Sequence, residues 1–466
     1  SIQMTSSVTS EFPDGFRISM KASSERSILR GIIDLQFGMS EGISSRPLRF
    51  LQGTNITTEV FWATGNNFGY VPPGTIVKYS FELQDSSGER VRTKEQQFVY
   101  HDVRFDWSEL SSGPITISYH GPGGVKKRAE DMLATIIKTV EKMGPILGVN
   151  TREPIRATMY NTQVEMFEAL PPAVQERTRD LITAGQASPH FGTLLTLGGG
   201  RNSLGVASHE VTHILTHRAG ANRFRRVPLW LDEGLAEYGN VNNEQNTYSE
   251  YDIALEFAVA NETLMPSFGT RYPANAQDTI VFYGQSRSMV KYLIEQFGSS
   301  KMSEFLAALK AGGSTALAVR NVYGVKPTEL DSMWLVKVKA EYNPTERARE
   351  GRPTPVPRRV VLPYSLTPQP NTEFVGDVVA ESTVTSVVEA RTEPDTVLQD
   401  SAAAASGITE EMSQSSQDAL NQTKGGSGCL GPLSLGVEVL DLTSVSLLLG
   451  LVGLRLRRVG NRVRRD

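Results

Sequence analysis

Two hydrophobic periods divide the chain. Between about residues 8 and 105 the period is two: Phe16, Ile18 and Met20 alternate with Arg17, Ser19 and Lys21, and Val77, Tyr79, Phe81 and Leu83 alternate with Lys78, Ser80 and Glu82. Such alternation marks half-buried strands. Turn chemistry in "VPPGT" (71–75) and "DSSGE" (85–89) separates the strands, and no helical stretch interrupts them. The pattern predicts an antiparallel, immunoglobulin-like β-sandwich over residues 1–110.

From about residue 115 the period lengthens. Ala129, Met132, Leu133, Ile136, Ile137, Val140 and Met143 recur every three or four positions, and Gly144 and Pro145 supply a stop, so an amphipathic helix is expected here. A strand-like "PIRATMYN" (154–161), a glycine-bounded strand "GTLLTLGG" (192–199) and further helical segments out to Tyr342 complete an α+β domain over 111–342. Residues 343–428 are rich in Pro, Ser, Thr, Ala and Glu and poor in aromatics, a composition that buries too little to offset its ordering entropy; they read as a flexible stalk.

Composition narrows the chemistry. At 466 residues the chain is long enough for two or three cores. Its 47 basic and 51 acidic side chains are mixed along most of its length, which gives no nucleic-acid footprint. Cys429 is the single cysteine, so an intrachain disulfide and a cysteine-rich zinc site are both excluded, and a metal would be held by histidines and carboxylates.

Three of the six histidines lie in "ASHEVTHILTHRAG" (207–220). Leu204, Ala207, Val211, Ile214 and Leu215 stand at helical spacing before Gly220, which predicts a helix over about 203–218. On it His209 and His213, at i and i+4, turn toward one point, with Glu210 offset by about 100°. Two imidazoles for Zn²⁺ and a carboxylate able to take a proton from an activated water are the content of this spacing. A catalytic zinc needs a third protein ligand. His217 is displaced from His209 by about 12 Å along the axis and is expected to be a partly exposed last-turn residue that favours the helix dipole. The long metzincin motif would need glycine and histidine where Thr216 and Ala219 stand. Glu233 in "VPLWLDEGLAEYGN" is the remaining candidate: Pro228 suits a first turn, Trp230, Leu231 and Leu235 form an apolar stripe, and nineteen residues separate it from His213, room for a helix end, a loop and a second helix.

"HEVTH" followed by "WLDEGLAEY" resembles the gluzincin zinc peptidases, in particular the peptidase MA-like family, and the likeness extends over most of 115–342, including "FYGQSRSMVKYLIEQFGSSKMSEFLAALKAGG" (282–313). The N-terminal sandwich is similar to those ahead of such domains in secreted bacterial proteins. The resemblance implies a single Zn²⁺ ligated by His209, His213 and Glu233, Glu210 as general base or acid, and peptide or protein substrates. It also implies that Glu237 hydrogen-bonds the free nitrogen of a ligand histidine, and that Tyr283 is an oxyanion donor or a core residue. Asp232, beside the ligand, is expected to point elsewhere. "GTLLTL" is either the edge strand beside the cleft, to which a peptide could add, or an ordinary buried strand.

The termini bear on location. The chain begins "SIQMTSSVTSEFPDGF" without an initiator Met or an apolar leader, from which a trimmed targeting segment is expected. Residues 429–466 join an apolar run, about Leu442 to Leu456, to Arg455, Arg457, Arg458, Arg462, Arg464 and Arg465. This order resembles the sorting signals of bacterial surface proteins, with Cys429 in the processed motif, a membrane segment and a cytoplasmic arginine tail. The alternative is a basic amphipathic tail on a membrane surface. Either places the domains outside the cytoplasm, as a membrane-tethered zinc metallopeptidase or, alternatively, as a surface-displayed binding or adhesion protein with a structural or inactive zinc domain.

Overall fold

The computed structural model describes residues 2–65, 69–177, 184–200, 202–222, 224–245, 249–266, 273, 276–342 and 445–446. The stalk and the C-terminal sorting segment expected from the sequence lie outside these residues, apart from Val445 and Ser446. Among the described residues no helix is long and apolar enough to cross a membrane.

The alternating region forms β1 (Gln3–Glu11), β2 (Gly15–Phe37), β3 (Ile43–Pro47), β4 (Gly53–Ala63), β5 (Thr75–Asp85), β6 (Arg90–Arg92) and β7 (Gln96–Tyr100). The inward residues are those the alternation assigns: Phe16, Ile18, Met20, Val77, Tyr79, Phe81 and Leu83 are all buried. The pairing differs from a two-sheet sandwich. All seven strands join one antiparallel sheet, curled into a half-barrel about β2. The first half of that strand lies between β1 and β4 and the second half between β3 and β5, with a register shift between Ser23 and Ile28. Alternation reports which face a residue takes, not which strand it pairs with, so a long strand bent at an irregularity reads as two.

The second sheet contains β8 (Ser108–Ser112), β9 (Ile115–Tyr119), β10 (Ile155–Tyr160), β11 (Gly185–Ser188) and β12 (Thr193–Leu197), in the order β11-β12-β10-β9-β8, with a two-residue β13 (Val445–Ser446) beside β11. β9, β10 and β12 run parallel, while β8 and β11 are antiparallel to their neighbours. "GTLLTL" is therefore an interior strand and not the edge; the strand outside it is β11, whose sequence "GQAS" has no hydrophobic alternation to reveal it.

The helices are α1 (Gly123–Leu147), α2 (Gln163–Phe167), α3 (Pro172–Arg177), α4 (Ser203–Gly220), α5 (Leu229–Gly239), α6 (Asn242–Gln245), α7 (Glu250–Ala260), α8 (Ala276–Phe297), α9 (Ser299–Lys310), α10 (Thr315–Tyr323) and α11 (Pro327–Glu341). α1 continues past the expected stop to Gly148, whose φ of 70° and bond to the Gly144 carbonyl end it; Pro145 is tolerated in the last turn. α4 runs through the middle of the α+β domain, packed by α1, α5, α9, β11 and β12. The core of this domain joins Ile136, Leu194, Val211, Leu215, Leu231 and Trp334. A second core is shared between the two sheets: Phe16, Ile18 and Phe81 cluster with Tyr160, Met166, Leu170 and Leu195. A main-chain bond from Met39 N–H to the His190 carbonyl, 3.0 Å, ties the β2–β3 turn to the 3-10 turn Pro189–Phe191 after β11.

Candidate metal centre

α4 and α5 build the centre. His209 and His213 project from successive turns of α4, and Glu233 projects from the second turn of α5; all three are buried. Their donors converge: His209 Nε2 and His213 Nε2 are 3.0 Å apart, and Glu233 Oε2 lies 3.4 Å from the first and 3.5 Å from the second. Among the described residues these three form the group of His, Cys, Asp and Glu side chains arranged to hold a metal ion. A tetrahedral ion bonding nitrogen and oxygen at 2.0–2.1 Å requires donors about 3.3 Å apart. The triangle fits zinc in donor type and in size. His217, one turn beyond, is outside it.

Each imidazole is held from behind by α5. His213 Nδ1 donates to Asp232 Oδ1 at 2.9 Å, and His209 Nδ1 lies 3.0 Å from Glu237 Oε1. A carboxylate only accepts, so these contacts put a proton on Nδ1 and aim Nε2 at the triangle, where the neutral imidazole offers its lone pair to a metal. The second oxygen of each carboxylate is also engaged. Asp232 Oδ2 pairs with His217 Nε2 at 3.1 Å, and Glu237 Oε2 accepts from Asn243 Nδ2 at 2.8 Å and Asn240 Nδ2 at 3.3 Å.

Two sequence expectations are corrected here. Asp232 does not point elsewhere; it is 2 % exposed and faces His213. His217 does lie in the last turn, but it is not partly exposed: it is 6 % exposed and paired with Asp232. Asn240 and Asn243 were not singled out by the sequence. The available signal was the pair of carboxylates on either side of Glu233, at positions 232 and 237, each able to reach a different histidine.

Burial alone would lower both imidazoles, and the carboxylates outweigh it. Glu237 first and Glu233 next push His209 up to about 9. Asp232 and Glu233 hold His213 well above its ordinary 6.5. Burial would raise Asp232 and Glu233, but the facing histidines bring both below their ordinary values.

Glu210 is fully buried next to His209, on the side of β11. Gly185 makes room for it: a Cβ there would stand 2.6 Å from Glu210 Oε1 and 2.5 Å from Val206. Tyr283 comes from α8, its ring 6.4 Å from that of His209 and edge-on to it. Its buried hydroxyl has no hydrogen-bond partner among the described residues. Burial and then the charge of Glu233 hold the phenol well above 10, with Glu237 and Glu210 near enough to add to the effect. α8 reaches this position because residue 234 is glycine; a Cβ there would meet the Ser286 carbonyl oxygen at 2.4 Å.

Residues 135–340 match the Peptidase MA superfamily. The chain carries a Peptidase MA superfamily domain. That domain is of the kind found in Peptidase MA zinc metallopeptidases, with the buried His209, His213 and Glu233 as its candidate metal group. Among solved structures it is similar to a mutant two-domain M1 zinc metallopeptidase bound to L-arginine, at 12 % identity over 70 % of this chain and 89 % of that one, with a TM-score of 0.33. The same mutant bound to L-tryptophan gives 11 % identity over 72 % and 92 % of the two chains, also with a TM-score of 0.33. No curated protein sequence matches the chain.

Proposed function

We propose that this metallopeptidase hydrolyses peptide bonds in peptides or proteins outside the cytoplasm, with one zinc ion held by His209, His213 and Glu233. The observation that carries the reading is the buried donor triangle with Glu210 on the residue next to its first member. A zinc ion there would supply a Lewis acid for the scissile carbonyl and a water acidic enough to attack near neutral pH. Glu210 takes the proton of the attacking water and hands it to the leaving amine. Asp232 and Glu237 hold the two imidazoles in the tautomer that faces the ligand triangle. Tyr283 Oη donates to the oxyanion as it develops, a role supported by its buried hydroxyl without another partner among the described residues. The extracytoplasmic placement is supported by the order of stalk, apolar run and arginine cluster in residues 343–466.

The test is metal analysis together with a peptide-library cleavage profile of the native chain and of Glu210→Gln. The expected outcome is about one equivalent of zinc in both, with hydrolysis in the variant lower by roughly 10²–10⁴-fold. Full activity in the variant, or a native protein that takes up no zinc, would overturn the proposal.

A further inference from the structure

His217 lies outside the donor triangle, yet it is built into the wall behind it. It stands on α4 one turn after the ligand His213, and Asp232 of α5 spans the two. Asp232 Oδ1 accepts from His213 Nδ1 at 2.9 Å and Asp232 Oδ2 meets His217 Nε2 at 3.1 Å. The exposures of His213, Asp232 and His217 are 0 %, 2 % and 6 %, so no bulk water competes for these contacts. A carboxylate held at both oxygens cannot turn about its Cβ–Cγ bond. Its direction toward His213 is then set by two residues of α4 and not by one.

We infer that His217 is a positioning residue for the metal centre, acting through Asp232 to fix the ring orientation of His213. The inference rests on the zinc reading of His209, His213 and Glu233. Three consequences follow from the geometry. Loss of the His217 contact frees Asp232 to rotate, and His213 Nδ1 loses its fixed acceptor. The Nε2 lone pair then samples directions away from the triangle, and metal affinity falls. Because Asp232 directly precedes Glu233, the same contact also steadies the end of the first turn of α5, from which the carboxylate ligand follows. A glutamine at 217 keeps an N–H donor of similar reach, whereas a leucine fills the space without one.

The experiment compares full-length wild type, His217→Gln and His217→Leu by zinc competition against a chromogenic chelator and by the visible absorption of the Co²⁺-substituted proteins. Leu309→Ala, a buried change on α9, serves as the stability control. Weaker zinc binding in His217→Leu by on the order of tenfold is expected, the lower end of what outer partners of metal ligands contribute. Its cobalt spectrum should be altered, and His217→Gln should return both readouts toward wild type. Leu309→Ala should lower the melting temperature and leave affinity and spectrum alone. Wild-type affinity and spectrum in His217→Leu would overturn the inference, as would loss of affinity in Leu309→Ala equal to that in His217→Leu. A wild type that binds neither metal would overturn the zinc reading instead.

Discussion

Asp232 and His213 are nineteen residues apart and on different helices, yet Asp232 Oδ1 accepts a hydrogen bond from His213 Nδ1 at 2.9 Å in a site closed to water. The carboxylate is therefore part of what makes His213 a ligand. Asp232→Asn keeps the shape but gives up the charge that holds the imidazole's polarity. Zinc affinity in this variant is expected to fall by roughly 10–100-fold. Chelator competition measures it, and an unchanged dissociation constant would remove Asp232 from the metal centre.

Tyr283 is tested by separating turnover from binding. If its hydroxyl meets only the developing oxyanion, Tyr283→Phe lowers kcat by on the order of 10²–10³-fold, with little change in KM and none in zinc content. Steady-state kinetics on one cleaved peptide decides it. A variant with wild-type kcat returns Tyr283 to the core.

Gly234 sets the distance between α5 and α8, because a methyl group there would collide with the Ser286 carbonyl oxygen and with Val290. Gly234→Ala is expected to cost about 1–3 kcal/mol through overpacking. It is also expected to impair turnover, since the two helices carry Glu233 and Tyr283. Denaturant unfolding and kcat, measured together, should both change. A variant with wild-type values of each would mean that the helices separate at no cost.

The pH dependence has a definite sign. His209 and His213 have raised pKa values in the metal-free fold, so the stability they contribute is complete below the unfolded value near 6.5. For His209 it is lost as pH rises through about 9. Asp232 and Glu233 are lowered, so their contribution is present above the ordinary carboxylate range and lost as pH falls through their depressed values. The metal-free protein is thus expected to gain most from this cluster between about pH 5 and 6.5. Zinc takes the deprotonated imidazoles, so it competes with these protons and its apparent affinity rises with pH toward 9. The zinc-induced gain in melting temperature should be larger at pH 8 than at pH 6. A gain independent of pH would contradict protonated histidines in the metal-free site.

The parts of the site legible in the sequence were those fixed by helical spacing. His209 and His213 at i and i+4, with Glu233 on a helix after a turn, needed only local periodicity and a count of residues. Glu237 needed the family likeness, and the structure brings it to His209. What escaped was the environment of α4. Its polar residues look like a solvated face, but Ser208 and Thr212 return their hydroxyls to the Gly205 and Ser208 carbonyls, and the helix is buried on nearly every side. With no wet face available, His217 had to find a partner, and Asp232 could not point to solvent. The first sheet shows the same division. Its inward residues were legible from alternation, whereas its closure into one curled sheet depends on the bend in β2, which leaves no periodic trace.

The apolar cluster in which Phe16 and Phe81 meet Tyr160, Met166 and Leu195 belongs to neither sheet alone. A cut near residue 110 would not release two finished folding units. It would expose the back of the second sheet as a greasy wall and leave the half-barrel unfilled. The boundary visible in the hydrophobic period is a change of secondary structure, and cooperativity ignores it: residues before and after that boundary should lose their structure in one shared transition.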